Sequence, residues 1–253
     1  MFEFFTSFTV IPSIDLKDGQ VVRLLRGDMN RVTIYGADPA ATARRFEQEG
    51  ATLIHIVDLD GAIAGEPRNL DAIARIRAEV RCALDVSGGL RTIETIREVV
   101  AVGADLVSIG SAAFLFPDLI ARACGEFPGR IFGSLDVREG RLAIKGWVET
   151  TPLTVAEAAE RFRIAGVAAA IVTDIARDGA QAGIDALRMA EIAGSSRLPV
   201  IASGGVSTLD DIRSLAARFD EGVVGVVVGR ALYEGNFTIR EAIGAARSYQ
   251  SSL

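Results

Sequence analysis

Ser87-Gly88-Gly89-Leu90-Arg91-Thr92-Ile93-Glu94 returns later in the chain as Ser203-Gly204-Gly205-Val206-Ser207-Thr208-Leu209-Asp210, an offset of 203 − 87 = 116. Three further pairs follow in the same order. Ile14-Asp15-Leu16-Lys17-Asp18-Gly19 matches Leu135-Asp136-Val137-Arg138-Glu139-Gly140, with 136 − 15 = 121. Asp60-Gly61-Ala62-Ile63-Ala64-Gly65 matches Asp178-Gly179-Ala180-Gln181-Ala182-Gly183, with 178 − 60 = 118. Ile109-Gly110-Ser111 matches Val228-Gly229-Arg230, with 229 − 110 = 119. Four motifs at nearly one offset read as two similar halves.

Working outward, each motif follows a short run rich in Val and Ile. The expected strands are residues 8–14, 53–57, 83–86, 106–109, 131–135, 169–173, 200–202 and 223–228. Amphipathic segments with apolar residues three and four apart separate them, at 39–49, 70–80, 93–102, 117–126, 154–165, 187–193, 209–217 and 238–247. Asp38-Pro39 starts one helix, and Gly50, Gly103 and Gly166 stop others. The strands lack clean alternation, as strands covered by helices on their outer face do. Eight uninterrupted βα units over 253 residues read as one α/β domain, a (β/α)8 TIM barrel made of two (βα)4 half-barrels. The alternative is an open doubly wound sheet.

The chain is 49% hydrophobic and 24% charged, with net charge −6. That acidic balance argues against nucleic acid as a partner, and any anionic ligand must be held by local groups. No apolar run reaches the roughly 18 residues of a membrane span. The opening MFEFFTSFTV reads as a lead-in to the first strand. Cys82 and Cys124, in helix-like surroundings, are expected to be reduced. A cytoplasmic monomer acting on a small molecule is expected.

The Ser-Gly-Gly turns follow strands three and seven, where glycine lets the backbone approach a ligand and successive N–H groups form an anion cradle. Gly110-Ser111 and Gly229-Arg230 follow strands four and eight and open short helical pieces that favour an anion. The candidate phosphate residues are therefore Gly88, Gly89, Arg91, Gly110 and Ser111 in one half, and Gly204, Gly205, Gly229 and Arg230 in the other. The competing reading is that the glycines only make tight turns. Two cradles imply one elongated substrate with a phosphate at each end.

Asp15 and Asp136 stand at equivalent strand ends, where a carboxylate is poorly explained by packing. Facing each other across a barrel mouth, they suit a general base and a general acid. Each singly also reads as a turn cap. Asp178 follows strand six and is a substrate or supporting group, with Asp60 and Asp58 its relations after strand two. His55, the single histidine, reads as a core residue or a substrate contact, and its half-repeat partner is Thr173. Lys145-Gly146-Trp147 lies beyond strand five in an expected mobile loop, with Trp147 either a stacking lid or a loop anchor. Arg23 sits in the other long loop. No metal cluster and no serine-nucleophile elbow is visible.

Taken together, Ile11-Pro12-Ser13-Ile14-Asp15-Leu16-Lys17-Asp18-Gly19, Val22-Arg23-Leu24, Gly27-Asp28, the string from His55 to Ala62, Ser87 to Arg91, Gly146-Trp147 and Ile201 to Val206 resemble the phosphoribosylformimino-5-aminoimidazole carboxamide ribotide isomerase family of histidine biosynthesis. The resemblance runs from about residue 9 to residue 243. It implies a half-barrel duplication, a substrate with two phosphates and an Amadori rearrangement of an aminoaldose to an aminoketose, without metal or cofactor. It implies Asp136 as the acid that opens the ribose ring and Asp15 as the base at C2. Thr173 and Asp178 would support Asp136, His55 would contact substrate, and Trp147 would stack on the imidazole.

Three positions depart from the family pattern. Ala180 stands where threonine is common, Ser87 where a third glycine is common, and Lys145 near a frequent arginine. Ser87 also occurs in bifunctional members that act on phosphoribosylanthranilate for tryptophan synthesis, so that activity is a second reading. The cyclase of imidazole glycerol phosphate synthase is a third, disfavoured by Arg23, Asp58-Leu59-Asp60-Gly61 and Trp147. A non-catalytic phosphate-binding barrel is the last.

Overall fold

The computed structural model describes residues 5–25, 28–144, 147, 149–180 and 182–250. Met1 to Phe4, Gly27, Lys145, Gly146 and Gln181, all used in the sequence reading, lie outside the described residues. Eight parallel strands form the framework: β1 Thr9–Lys17, β2 Leu53–Asp58, β3 Ala83–Ser87, β4 Leu106–Ile109, β5 Ile131–Arg138, β6 Ala169–Asp174, β7 Val200–Ser203 and β8 Val223–Val228. Each pairs with the next, and Thr9–Pro12 of β1 pairs with Gly225–Val228 of β8. The ring is therefore closed, a (β/α)8 barrel, and no edge of these eight strands is left open.

The principal helices are α1 Pro39–Gln48, α2 Leu70–Glu79, α3 Ile93–Ala101, α4 Pro117–Glu126, α5 Val155–Ala165, α6 Ala186–Ser196, α7 Leu209–Ala216 and α8 Ile239–Gln250. Each presents a buried stripe, such as Ile93, Ile96 and Val99 on α3, at the three- and four-residue spacing of one helix face. The halves also share start signals. Thr92 caps α3 and Thr208 caps α7, each hydroxyl accepting the N–H three residues on. None of the helices is long and apolar enough to cross a membrane, among the described residues.

Inside the barrel, side chains change character with height. Ile11, Leu53, Leu106, Phe132, Ile171, Ile201 and Val224 form one buried apolar cluster. Phe5 closes it from below, its ring 6.2 Å from that of Phe132. Nearer the C-terminal ends of the strands, Ser13, His55, Asp85, Ser108 and Ser203 are buried polar groups. The lower half is a dry core and the upper half a chemically equipped floor.

Two long connections depart from the sequence reading. Residues expected as loops after β1 and β5 are antiparallel hairpins, Gln20–Leu25 with Asp28–Gly36, and Arg141–Ile144 with Glu149–Thr154. The first member of each pairs with the end of its barrel strand, Lys17 with Gln20 and Arg138 with Arg141. Asp18 and Gly19 between them have φ of 50° and 72°, and Glu139 and Gly140 have 50° and 82°. Two successive residues at positive φ make the tight hairpin turn whose twist matches the strands. Arg23 consequently sits on a strand and not in a loop. Cys82 departs too: it lies in the turn before β3, where its N–H donates to Glu47, and not on a helix. Cys82 and the buried Cys124 are both free thiols, and burial pushes the Cys124 thiol up to about 11.

Phe132 is fully buried between the apolar floor and Phe5. Phe132→Ala is expected to lower unfolding stability by about 3–5 kcal/mol in urea titration, the usual range for emptying such a site. A loss under 1 kcal/mol would mean that the barrel floor is not packed as described.

Candidate active site

Asp15 lies two residues before the end of β1 and Asp136 occupies the same place on β5. Each is paired with its hairpin in the same register, Asp15 with Val22 and Asp136 with Ala143. The next hairpin residue is Arg23 in the first half and Ile144 in the second. One position thus carries a cation beside one aspartate and a hydrocarbon beside the other.

Arg23 donates from Nη1 to Asp15 Oδ1 at 2.7 Å and to Ser13 Oγ at 2.7 Å. Burial pushes Asp15 above its ordinary value, while the Arg23 guanidinium and then His55 pull it down. The pair is the strong, charge-assisted kind and favours an ionised Asp15. Among the described residues, the groups that lower Asp136 by hydrogen bonding are the neutral Trp147 and Thr173 side chains, with His55 also lowering it and the negative Asp178 raising it. Desolvation dominates there, and its carboxyl is pushed up to about 6. Two carboxylates with environments that differ in this way suit opposite proton-transfer roles. Asp178 is itself raised, first by burial, with Arg23 opposing and Asp15 adding to the rise.

Trp147 has φ of 73°, an unusual backbone region for a bulky residue. Sequence reasoning gave it a stacking or anchoring role; the structure ties its N–H to Asp136. Thr173 is in register with Asp136 on the neighbouring strand, and its side chain lowers that carboxyl against the burial.

His55 departs from the plain core reading. Its Nδ1 lies 2.6 Å from Asp85 Oδ2, and Ser108 Oγ lies 2.9 and 2.8 Å from the two Asp85 oxygens. Sequence reasoning passed over Asp85 and Ser108, although a lone Asp within an otherwise apolar barrel strand is a signal in itself. Asp58 and Asp60, by contrast, are structural. Asp58 is buried and accepts from the N–H groups of Gly61, Arg68 and Asn69. Asp60 accepts from the Asp18 N–H at 2.7 Å, which pins the first hairpin's tip.

Gly88, Gly89, Gly204 and Gly205 all have φ between 76° and 102°. A Cβ at Gly88 would strike the Asp58 backbone, and one at Gly204 the Asp174 backbone, an equivalent contact in the two halves. Packing alone therefore requires glycine here. Arg230 donates to the Gly179 carbonyl at 2.7 Å, and a cavity at this end is lined by Arg23, Ser203, Gly204, Gly205, Gly229 and Arg230. Arg23 reaches so far that a Cβ on Gly229 would collide with its guanidinium. The second cradle is thus bordered by two arginines. In the first, Gly110 and Ser111 precede the short helix Ala112–Leu115. Arg91, however, is exposed and donates to the Ala62 carbonyl at 3.2 Å, so its guanidinium braces the loop after β2. Among the described residues, no group of three or more His, Cys, Asp or Glu is placed to hold a metal ion.

Comparison with known proteins gives this geometry a context. Residues 9–238 match the family described as histidine biosynthesis protein. A protein of Desulfosudis oleivorans is 47% identical over 243 residues, covering 96% of this chain and 97% of its own. One of Magnetococcus marinus is 44% identical over 247 residues (96% and 99%), and one of Rhodospirillum centenum 46% over 234 (92% and 95%). All three are named 1-(5-phosphoribosyl)-5-((5-phosphoribosylamino)methylideneamino) imidazole-4-carboxamide isomerase. With the family match spanning both half-barrels and both aspartates, this chain belongs to the histidine biosynthesis protein family.

Proposed function

We propose that the chain is an aldose–ketose isomerase that carries out an Amadori rearrangement on the double-phosphate aminoimidazole carboxamide ribotide of histidine biosynthesis. The observation that carries this is the unequal carboxylate pair, Asp15 held by Arg23 and Asp136 held by neutral donors with its carboxyl at about 6. The names of the relatives supply the substrate.

The reaction moves hydrogen from C2 of an aminoaldose to C1, leaving a ketone at C2. Protonated Asp136 gives its proton to the ribose ring oxygen as the C1–O bond breaks, which leaves an iminium at C1. Asp15 then takes the C2 proton, and the electron pair neutralises that iminium to an enolamine, which tautomerises to the aminoketose. A carboxyl near 6 is a competent acid close to neutral pH, and against the burial that raises Asp15 the Arg23 guanidinium favours the ionised form a base needs. Thr173 and Trp147 orient the acid, and Asp178 favours its protonated form. The Gly88-Gly89 and Gly110-Ser111 turns take one phosphate; Gly204-Gly205, Gly229 and Arg230 take the other, with Arg23 bridging that cradle and the base.

Purified protein is expected to turn over the aminoaldose, assayed beside phosphoribosylanthranilate. Turnover of both substrates would mark a bifunctional enzyme, and turnover of neither would sink the proposal. Asp15→Ala and Asp136→Ala should each lower kcat by roughly 10²–10⁴ while retaining the wild-type circular dichroism spectrum. Near-normal kcat in either variant would remove that residue from its role.

Asp136 also sets a pH dependence of stability. Its folded value of about 6 lies above the ordinary 3.8, so the folded state binds the proton more tightly than the unfolded chain. The associated stability is present below 3.8 and is lost as pH rises to about 6, with a cost of at most about 3 kcal/mol above that. Asp136→Asn should therefore melt above wild type at pH 8, and the gap should narrow at pH 5. An equal gap at both values would contradict the buried charge.

A further inference from the structure

His55 and Asp85 face each other in register on neighbouring strands, with Ser108 on the strand beyond. The Asp85 carboxylate is 1% exposed, and its side-chain partners are the Ser108 hydroxyl and the His55 ring at 2.6 Å. Ser108 has one proton to give, which leaves the rest of the carboxylate to His55. An ionised carboxylate at this depth is costly unless a cation faces it. The imidazole is the titratable group in contact with it, and a shared proton on Nδ1 satisfies both.

The other ring nitrogen is what gives this pair a use. The described residues offer Nε2 no hydrogen bond, yet no buried side-chain nitrogen or oxygen among them lacks a partner. Nε2 therefore belongs to the 11% of the side chain that is exposed, at the barrel mouth. The charged groups around the ring are Asp85 on β3, Asp15 on β1 with its bound Arg23, and Asp136 on β5. Asp178, after β6, raises Asp136 and is itself raised by Asp15. The ring is close enough to lower both candidate catalytic carboxyls. None of this is duplicated: the second-half counterparts of His55, Asp85 and Ser108 are Thr173, Ile201 and Val227.

We infer that Asp85 is a positioning residue: it holds a proton on Nδ1 of His55, keeps the ring charged, and so presents Nε2–H as a hydrogen-bond donor to a substrate oxygen lying between Asp15 and Asp136. The role in turnover rests on the isomerase reading; the state of the ring does not. A charged ring so placed steadies the C2 oxygen in the later step, as the enolamine gives up its hydroxyl proton and that oxygen becomes the ketone. It also offsets part of the charge that two aspartates bring to one mouth.

The chain's single histidine makes the test direct. In tag-free protein labelled with ¹⁵N-histidine, the imidazole should show Nδ1 protonated across neutral pH, with Nε2 protonated as well. Asp85→Asn should remove the Nδ1-protonated signal at neutral pH and lower kcat/KM at pH 8 by about tenfold, the scale of one lost charge-assisted hydrogen bond. At pH 5.5, where solvent protons are more plentiful, the deficit should shrink. His55→Ala with Asp85→Asn should be no slower than His55→Ala alone, since Asp85 acts through the ring. A wild-type ring with bare Nδ1, a neutral wild-type ring, or a deficit constant with pH would each overturn the assignment. Should Asp85→Asn fail to fold, the wild-type spectrum alone decides. The spectrum needs no substrate, so failure of the isomerase reading and failure of the pair are read separately.

Discussion

The pairing of Thr9–Pro12 with Gly225–Val228 closes the sheet, and most of the site's physics descends from that closure. In a closed ring of eight strands, every second side chain points into a space that must be filled, and no residue can move outward to avoid its neighbours. Hydrocarbon fills the lower space around Phe132. Above it, Ser13, His55, Asp85, Ser108 and Ser203 are held at fixed heights by the strand register. Buried polar groups held in this way must satisfy one another, and among the described residues they do. Rigid donors whose places are set before a ligand arrives are the condition for electrostatic catalysis.

Duplication explains the framework, and its breaches explain the chemistry. The hairpin turns, the glycine turns packed on Asp58 and Asp174, and the threonine caps of α3 and α7 repeat from one half to the other. Where the halves part, they part at charged groups. Arg23 answers to Ile144, and His55 with Asp85 answers to Thr173 with Ile201. Asp60 is spent on holding the first hairpin, while its counterpart Asp178 raises Asp136 and is itself raised by Asp15. Two carboxylates that share an ancestry of position, both raised by burial, thus meet different neighbours: a guanidinium at Asp15 and hydrogen-bond donors without charge at Asp136.

The barrel was legible in the sequence because its strands and helices are announced by two independent signals, apolar period and glycine punctuation. Their ends moved by three residues or fewer, as with β1 and β5, which run on beyond the apolar segment into hairpins. Those hairpins were legible and went unread: Asp18-Gly19 and Glu139-Gly140 are turn signals, but the polar residues around them look like loop. The aspartates and the second cradle were found because the repeat marked them. Arg91 and Trp147 show the limit. Sequence places a side chain along the chain, whereas the direction of a guanidinium or an indole depends on acceptors far away, here Ala62 and Asp136. Asp85 was hidden for a related reason, since its partner His55 is 30 residues away and only barrel register brings them together.

The substitution of isoleucine for arginine between the two hairpins has one more effect. A mouth with near-twofold symmetry offers a ligand carrying like groups at both ends two poses, related by a half-turn, of nearly equal energy. Half of all encounters would then be wrong-way and inert. Arg23 reaches toward Gly229 at one end, while Ile144 stands at the related place. The Arg23 guanidinium, joined at that end by Arg230 where the other half has Ser111, gives the mouth a direction, so that such a ligand would meet two unlike ends.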